Sequence, residues 1–301
     1  MKLPFVIYKL NLMKNLKLFI ELTRLDKPIG YMLLFWPCLW GLTISYNFKD
    51  DINLFFIYGI LFFSGAMLMR SAGCIVNDII DKDFDKKVER TKNRPIASEK
   101  ITTKVALLYV MVLCLFALII LINFNLLTII FALFSIPFAF SYPLIKRFTY
   151  WPQLFLGITF NYGLILGWIS IHGELNIIPL IMYFGAIFWT LGYDTIYGFQ
   201  DIKDDEIIGV KSTSIKFKNI PFTFLIICYS IFLLSIIIGG ITLKFNYIFF
   251  MSLTLLVYHL FFKQIAQLNI AVEKNCLKIF NSNNEIGLII FASIVIGKIL
   301  S

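Results

Sequence analysis

The sequence predicts an all-α, polytopic membrane protein, and three observations carry that prediction. Of its 301 residues, 59% are hydrophobic and 15% charged, and the mean hydropathy is +0.83. A soluble domain rarely holds so little charge. Apolar runs near 20 residues recur along the chain, each long enough to cross a bilayer. The basic residues lie in the short segments between those runs, where they set orientation. One bundle over 1–301 is expected, because counting soluble domains by length does not apply here.

In chain order, residues 1–28 come first, a basic and weakly amphipathic segment. It has no small-residue cleavage site behind an apolar core, so it does not read as a secretory signal. Its single arginine, Arg24, does not match a mitochondrial presequence either. Nine spans follow, near 29–46, 54–76, 105–123, 125–145, 152–171, 177–198, 222–241, 247–268 and 286–300. The last is short. The third and fourth are parted by Asn123 to Asn125, which predicts a tight helical hairpin. Pro137, Pro143, Pro152 and Pro179 are tolerated in or beside membrane helices.

With the N-terminus inside, 23 of the 27 Lys and Arg fall on inner segments, against Lys49, Lys244 and Lys298 outside and Arg70 within a span. This asymmetry sets the N-terminus inside and the C-terminus outside, and it agrees with an odd number of spans. It also accounts for the net charge of +9 without nucleic acid as a partner. The five cysteines form no CxxC, so neither a disulfide framework nor a zinc site is expected. His172 and His259 adjoin no acidic motif. The 32 Phe suit lipid contact as readily as a lined channel.

Half of the acidic residues fall in two short inner segments 120 residues apart, which permits a parallel internal repeat. In the first, Asn77, Asp81 and Asp85 are spaced i, i+4, i+8, along one side of a helix. In the second, Asp194, Tyr197, Asp201 and Asp205 again share one face. Like charges at these spacings repel. Something positive belongs between them, and hard oxygen ligands select Mg²⁺, which bridges carboxylates to substrate phosphates. Two such faces opposite each other would clamp a diphosphate.

Basic residues surround the acids: Lys82, Arg90 and Arg94 by the first motif, and Lys211 in Gly209 to Thr213 by the second. Arg and Lys near Ser or Thr suit phosphate oxygens. Arg70 lies inside the second span, seven residues before Asn77, and Asp194 stands seven before Asp201. Charges in a membrane helix face a cavity or a partner, so an Arg70–Asp194 pair is expected.

The motifs NDxxDxxxD (Asn77 to Asp85) and DxxYxxxDxxxD (Asp194 to Asp205) resemble those of the intramembrane UbiA-type prenyltransferases. So do VERTxxRP (Val88 to Pro95) and GVKST (Gly209 to Thr213). RLDKPIG (Arg24 to Gly30), LLFWPCLWGL (Leu33 to Leu42) and YPLIKR (Tyr142 to Arg147) resemble the 4-hydroxybenzoate branch. The resemblance covers about residues 20–300. It implies nine helices around a central cavity, capped by loops on the cytoplasmic side and open laterally to lipid. It implies Mg²⁺ on Asn77, Asp81, Asp85, Asp201 and Asp205, the last four carboxylates being catalytic, with Asp78 supporting. Arg94, Lys211, Lys82 and Arg90 would serve the diphosphate. Arg24, Arg147 and Tyr197 would serve the aromatic acid. Lys82 departs from the arginine frequent in this branch, which weakens bidentate recognition there.

The expected reaction is transfer of a polyprenyl group from polyprenyl diphosphate to 4-hydroxybenzoate, ortho to its hydroxyl. Its expected setting is ubiquinone biosynthesis in a bacterial inner membrane. A naphthoate or haem acceptor is the rival within the fold. A divalent-cation transporter is the rival of another class, but transporters place ion ligands near the midplane, and of these acids Asp194 alone is deep.

Overall fold

The computed structural model describes residues 15–299. Much of the N-terminal segment, and the expected end of the last span at 300, lie outside the described residues. Nine helices among them are long and apolar enough to cross a membrane. We number these α1 (Pro28–Ser45), α2 (Ile52–Ile80), α3 (Thr103–Leu121), α4 (Leu126–Ile145), α5 (Pro152–His172), α6 (Ile177–Gly198), α7 (Pro221–Thr242), α8 (Tyr247–Gln267) and α9 (Glu273–Ile299).

Local sequence sets the ends. Asp51, Thr102, Asn125, Asn176 and Asn246 each accept a backbone N–H of the first turn they precede, which satisfies donors the helix cannot. Pro28, Pro152 and Pro221 open α1, α5 and α7, where a missing N–H costs nothing. Two spans differ from the sequence expectation. α2 continues to Ile80 and so carries Asn77 and Asp78 on the helix itself. The last span is not short: α9 starts at Glu273 as an amphipathic piece and breaks at Ser282 before Asn283–Ile299. Asn283 and Asn284 then meet the indole N–H of Trp189 and Trp36, each at 2.8 Å.

The helices pack as a ring in the order α2, α1, α9, α8, α7, α6, α5, α4 and back to α2, with α3 held against α2 and α1 crossing α5 inside the ring. That crossing depends on glycine. A Cβ on Gly41 would stand 2.1 Å from the Leu164 carbonyl oxygen, and one on Gly167 would stand 2.4 Å from that of Cys38. Small residues let membrane helices approach this closely, since apolar surface alone gives no preference for helix over lipid. The expected hairpin of α3 and α4 is corrected. The link is as short as expected, but the two helices scarcely touch. Both line a central cavity of 1200 Å³ instead. The cavity runs from the motif end to Phe62 and Phe124, about 28 Å along α2 at 1.5 Å per residue. The ring of Phe124 packs on Phe62 at 4.7 Å and on Tyr58 at 5.0 Å, and these close its far end.

The glycine crossing is testable. Gly167→Ala forces a methyl against backbone and should cost about 1–3 kcal/mol, read as a lower melting temperature in detergent. Gly59→Ala meets nothing within 4 Å and should leave the temperature unchanged or raise it. Equal melting of both variants would contradict this packing.

Candidate active site

Both acidic motifs sit where a span ends and the backbone bends. α2 stops at Ile80, Asp81 takes φ −93° and ψ 6°, and a short helix Lys82–Asp85 follows. α6 stops at Gly198, Asp201 takes φ −110° and ψ 5°, and a short helix Ile202–Ile208 follows. A helical bond resumes at each bend: Asp85 N–H donates to the Asp81 carbonyl and Asp205 N–H to the Asp201 carbonyl, both at 2.8 Å. This bridge region of backbone space is sparsely populated and frequent at active sites. The two motifs thus share one local geometry, 120 residues apart.

Asn77, Asp78, Asp81 and Asp85 line the cavity from one side, and Asp194, Tyr197, Asp201 and Asp205 from the other. Basic side chains bridge the two sides. Arg90, from the loop after the first motif, grips Asp201 of the second with two nitrogens, Nε standing 2.7 Å from Oδ1. Its Nη1 donates to the Tyr197 hydroxyl at 3.2 Å. Lys146, at the end of α4, binds Asp81. Arg94 lies 2.8 Å from Asp85 and 3.2 Å from Asp78. Buried charges persist only when paired or otherwise compensated, and this interlock supplies the partners. Burial holds the Asp85 carboxyl above its ordinary range, although Arg94 pulls the other way. Asp205 is pushed up to about 6 by burial and then by the negative charge of Asp201.

Several expected roles are redistributed. Arg24 ends the helix over 15–23 with a left-handed φ of 55° and reaches Asp78 at 2.5 Å. A non-glycine residue there costs about 1–3 kcal/mol, which the charge contact offsets. Lys82 and Arg147 lie off the cavity lining. Lys82 faces Glu99 at 4.0 Å, because it stands on the outer side of its short helix. Arg147 donates to the Ile80 carbonyl at 2.9 Å and lies 5.0 Å over the Phe84 ring. Lys211 does line the cavity, held by the Phe148 carbonyl at 3.3 Å. Of the hydroxyls beside it, Ser212 lines the cavity while its oxygen caps a helix, whereas Thr213 meets Thr195 and Ser214 bonds the Thr195 carbonyl away from the cavity.

The expected Arg70–Asp194 pair does not form. Both side chains line the cavity, and Arg70 lies 5.4 Å over the Phe160 ring with its Nε buried and unpartnered. Gly30 makes room for it, since a Cβ there would stand 3.0 Å from that Nε. Lys146 was overlooked in the sequence. Its signal was present in YPLIKR, where Arg147 drew the assignment through its stronger anion-binding geometry.

The donor set suits a hard cation. Oδ1 of Asp81 is buried on the cavity lining without a hydrogen-bond partner, with Arg147 Nη2 3.9 Å away, and the remaining donors are carboxylate and amide oxygens. No three acidic, His or Cys side chains form a ready cluster among the described residues. Mg²⁺ fits such a set, because it takes one or two carboxylates and completes its shell with water and phosphate.

The comparisons agree with this architecture. Residues 34–291 match the UbiA prenyltransferase family. A relative from Caenorhabditis elegans, "4-hydroxybenzoate polyprenyltransferase, mitochondrial", is 40% identical over 287 residues, covering 95% of this chain and 80% of its own. The 4-hydroxybenzoate geranyltransferase 1 of Lithospermum erythrorhizon is 36% identical, covering 97% and 94%. Among solved structures, an apo UbiA homolog from Aeropyrum pernix K1 superposes with a TM-score of 0.73 at 22% identity, over 89% of this chain and 97% of that one. A UbiA homolog from Archaeoglobus fulgidus, bound to DMAPP and Mg²⁺, gives 0.69 at 16% identity, over 92% and 98%. The chain belongs to the UbiA prenyltransferase family.

Proposed function

We propose that this chain transfers a polyprenyl group from polyprenyl diphosphate to the ring carbon ortho to the hydroxyl of 4-hydroxybenzoate, with Mg²⁺, as a step of ubiquinone biosynthesis. The observation that carries the reading is the meeting of two acidic motifs and their bridging cations on one apolar-walled cavity. The names of its relatives support the acceptor. We place it in a bacterial inner membrane, and the charge asymmetry supports a motif end that faces the cytoplasm there.

Asn77, Asp81, Asp85, Asp201 and Asp205 would hold the metal, and bound Mg²⁺ would neutralise the diphosphate and ease its departure. Arg90, Arg94, Lys146 and Lys211 stand where phosphate oxygens would lie. They can exchange a carboxylate for a phosphate while staying charge-balanced. Arg70, with an unpartnered Nε deeper in the cavity, receives the acceptor's carboxylate. It takes this role instead of Arg24, which Asp78 engages, and of Arg147, which lies off the cavity. The apolar walls keep water from the allylic cation that forms as the C–O bond breaks. An opening between α3 and α4, which scarcely touch, would give the polyprenyl tail a way into lipid.

Three results test this. Asp81→Ala and Asp201→Ala should each lower prenyl transfer by roughly 100-fold or more while the protein still inserts; near-wild-type rates in both would refute the assignment. Arg70→Ala should raise KM for 4-hydroxybenzoate by roughly 10- to 100-fold, the loss of a charged hydrogen bond of about 1.5–3 kcal/mol, and leave KM for the donor unchanged. A loss falling on the donor instead would place the carboxylate elsewhere. Asp205, raised to about 6, is protonated below that pH and must ionise to hold a cation. The Mg²⁺ needed for half-maximal rate should therefore climb up to about tenfold per pH unit below 6 and flatten above it. An Mg²⁺ requirement independent of pH from 5 to 8 would argue against Asp205 as a ligand.

A further inference from the structure

A buried polar chain outside the charged layer fixes the break in α9. α8 widens into a π-helical turn over Tyr258–Gln264, a rare geometry that is frequent at functional sites. At its end stands Gln264, which is fully buried. The Tyr229 hydroxyl of α7 donates to Gln264 Oε1 at 2.7 Å, and Gln264 Nε2 donates to Ser282 Oγ at 3.2 Å. Ser282 is where α9 breaks, and the next residue, Asn283, holds the Trp189 indole of α6. Buried polar groups are costly unless all are satisfied. This set ties α6, α7 and α8 to the one point from which the amphipathic piece Glu273–Asn281 is aimed. That piece delivers Phe280 to the cavity lining.

The Phe280 ring packs on Tyr197 at 4.6 Å and 46°, and on Tyr193 at 5.8 Å and 62°. All three residues line the cavity. Both phenol oxygens are engaged, Tyr197 by Arg90 and Tyr193 by the Thr190 hydroxyl at 3.1 Å. Rings at such tilts do not all turn their edges the same way. The patch already attracts positive charge: the Arg90 guanidinium carbon lies 5.8 Å from the Tyr197 ring centre, within cation–π range. Its depth is also defined. Tyr197 stands four residues before Asp201 and three after Asp194. It is therefore about 6 Å deeper than the diphosphate layer and about 4.5 Å shallower than the Asp194 layer. In the proposed reaction, the C–O bond that breaks lies between those layers.

We propose that the Phe280 and Tyr197 rings stabilise the allylic cation, which makes Phe280 a catalytic residue that lies in neither acidic motif. The inference rests on the prenyl-transfer reading above. As the C–O bond breaks, its electron pair leaves with diphosphate, and the positive charge spreads over C1 and C3 of the allyl group. The negative face of an aromatic ring attracts such charge without a lone pair to capture it, whereas water would add to it. The ortho carbon of the acceptor then supplies the pair that forms the bond to C1, and the proton of that carbon passes to the diphosphate.

The test uses the full chain in detergent with Mg²⁺, a prenyl diphosphate and 4-hydroxybenzoate. It reads single-turnover transfer, so that product release does not mask bond breaking. Position 280 is filled with phenylalanine carrying one, two or three ring fluorines, which keep the shape of the ring and drain charge from its face. The logarithm of the rate should fall in near-even steps, by roughly 2- to 30-fold over the series. The half-saturating concentrations of both substrates should stay unchanged. Phe280→Leu should lose at least as much as the trifluoro ring, and Phe280→Tyr should keep most of the rate. A rate flat across the fluorine series overturns the proposal even if Phe280→Leu is slow, because a packing role responds to shape and not to ring charge. A change confined to the half-saturating concentration of 4-hydroxybenzoate also overturns it, since the ring would then stack on the acceptor. Failure of the wild type to transfer a prenyl group at all would instead refute the functional reading.

Discussion

Charge balance at the end of a hydrophobic bundle governs this protein. Carboxylates gathered where spans meet the membrane surface are poorly solvated and repel one another. The fold answers by sending cations across the pocket, Arg90 from the first half to Asp201 of the second, and Lys146 from α4 to Asp81. Each pairing ties together segments distant in sequence, so the motif loops are placed by the same contacts that compensate the charge. Such an interlock is poor as a source of stability, since desolvation offsets most of the Coulomb gain. It is well suited to exchange, because a diphosphate can take over the cations and a hard cation can take over the carboxylates.

Depth then divides the chemistry. The charged layer lies at the helix ends, at the two matching bends of Asp81 and Asp201. One layer deeper, Arg70 and Asp194 face the cavity without a hydrogen-bond or ion-pair partner among the described residues, Arg70 resting on the Phe160 ring. Deeper still the wall is apolar and ends at Phe62 and Phe124. A substrate with a charged head and a hydrocarbon tail is sorted by such a gradient, and this ordering fits a prenyl donor better than a transported ion, whose ligands belong at the midplane.

Much of this was legible in the sequence because each signal was local. The number of spans and the spacing of the carboxylates follow from the chain's neighbours alone: nine helices among the described residues can cross a membrane, and Asn77, Asp81 and Asp85 share one cavity wall, though the last span is longer than read and the helix bends at Asp81. What was not legible depended on distant partners. Arg147 and Lys146 are adjacent, and the sequence cannot say which turns inward; the Ile80 carbonyl and Phe84 ring hold Arg147 outside. The Ser and Thr of GVKST read alike as phosphate donors, yet Thr213 is absorbed by Thr195 while Ser212 lines the cavity. Arg70 and Asp194 read as a pair because both are charged at membrane depth, but the phase of two separate helices is set by packing on third helices, as where Gly192 of α6 admits the Tyr229 ring of α7. The separation of α3 from α4 was likewise invisible, since a link as short as 122–125 implies nearness only at the link.

The central claim is that the two acidic motifs form one ligand site rather than two. Calorimetric binding of inorganic pyrophosphate with Mg²⁺ to the wild type, Asp81→Asn, Asp201→Asn and the double variant tests it most directly. A shared site predicts that each single change removes most of the binding and that the double change adds little. Two partial losses that sum in the double variant would show independent sites and contradict the account.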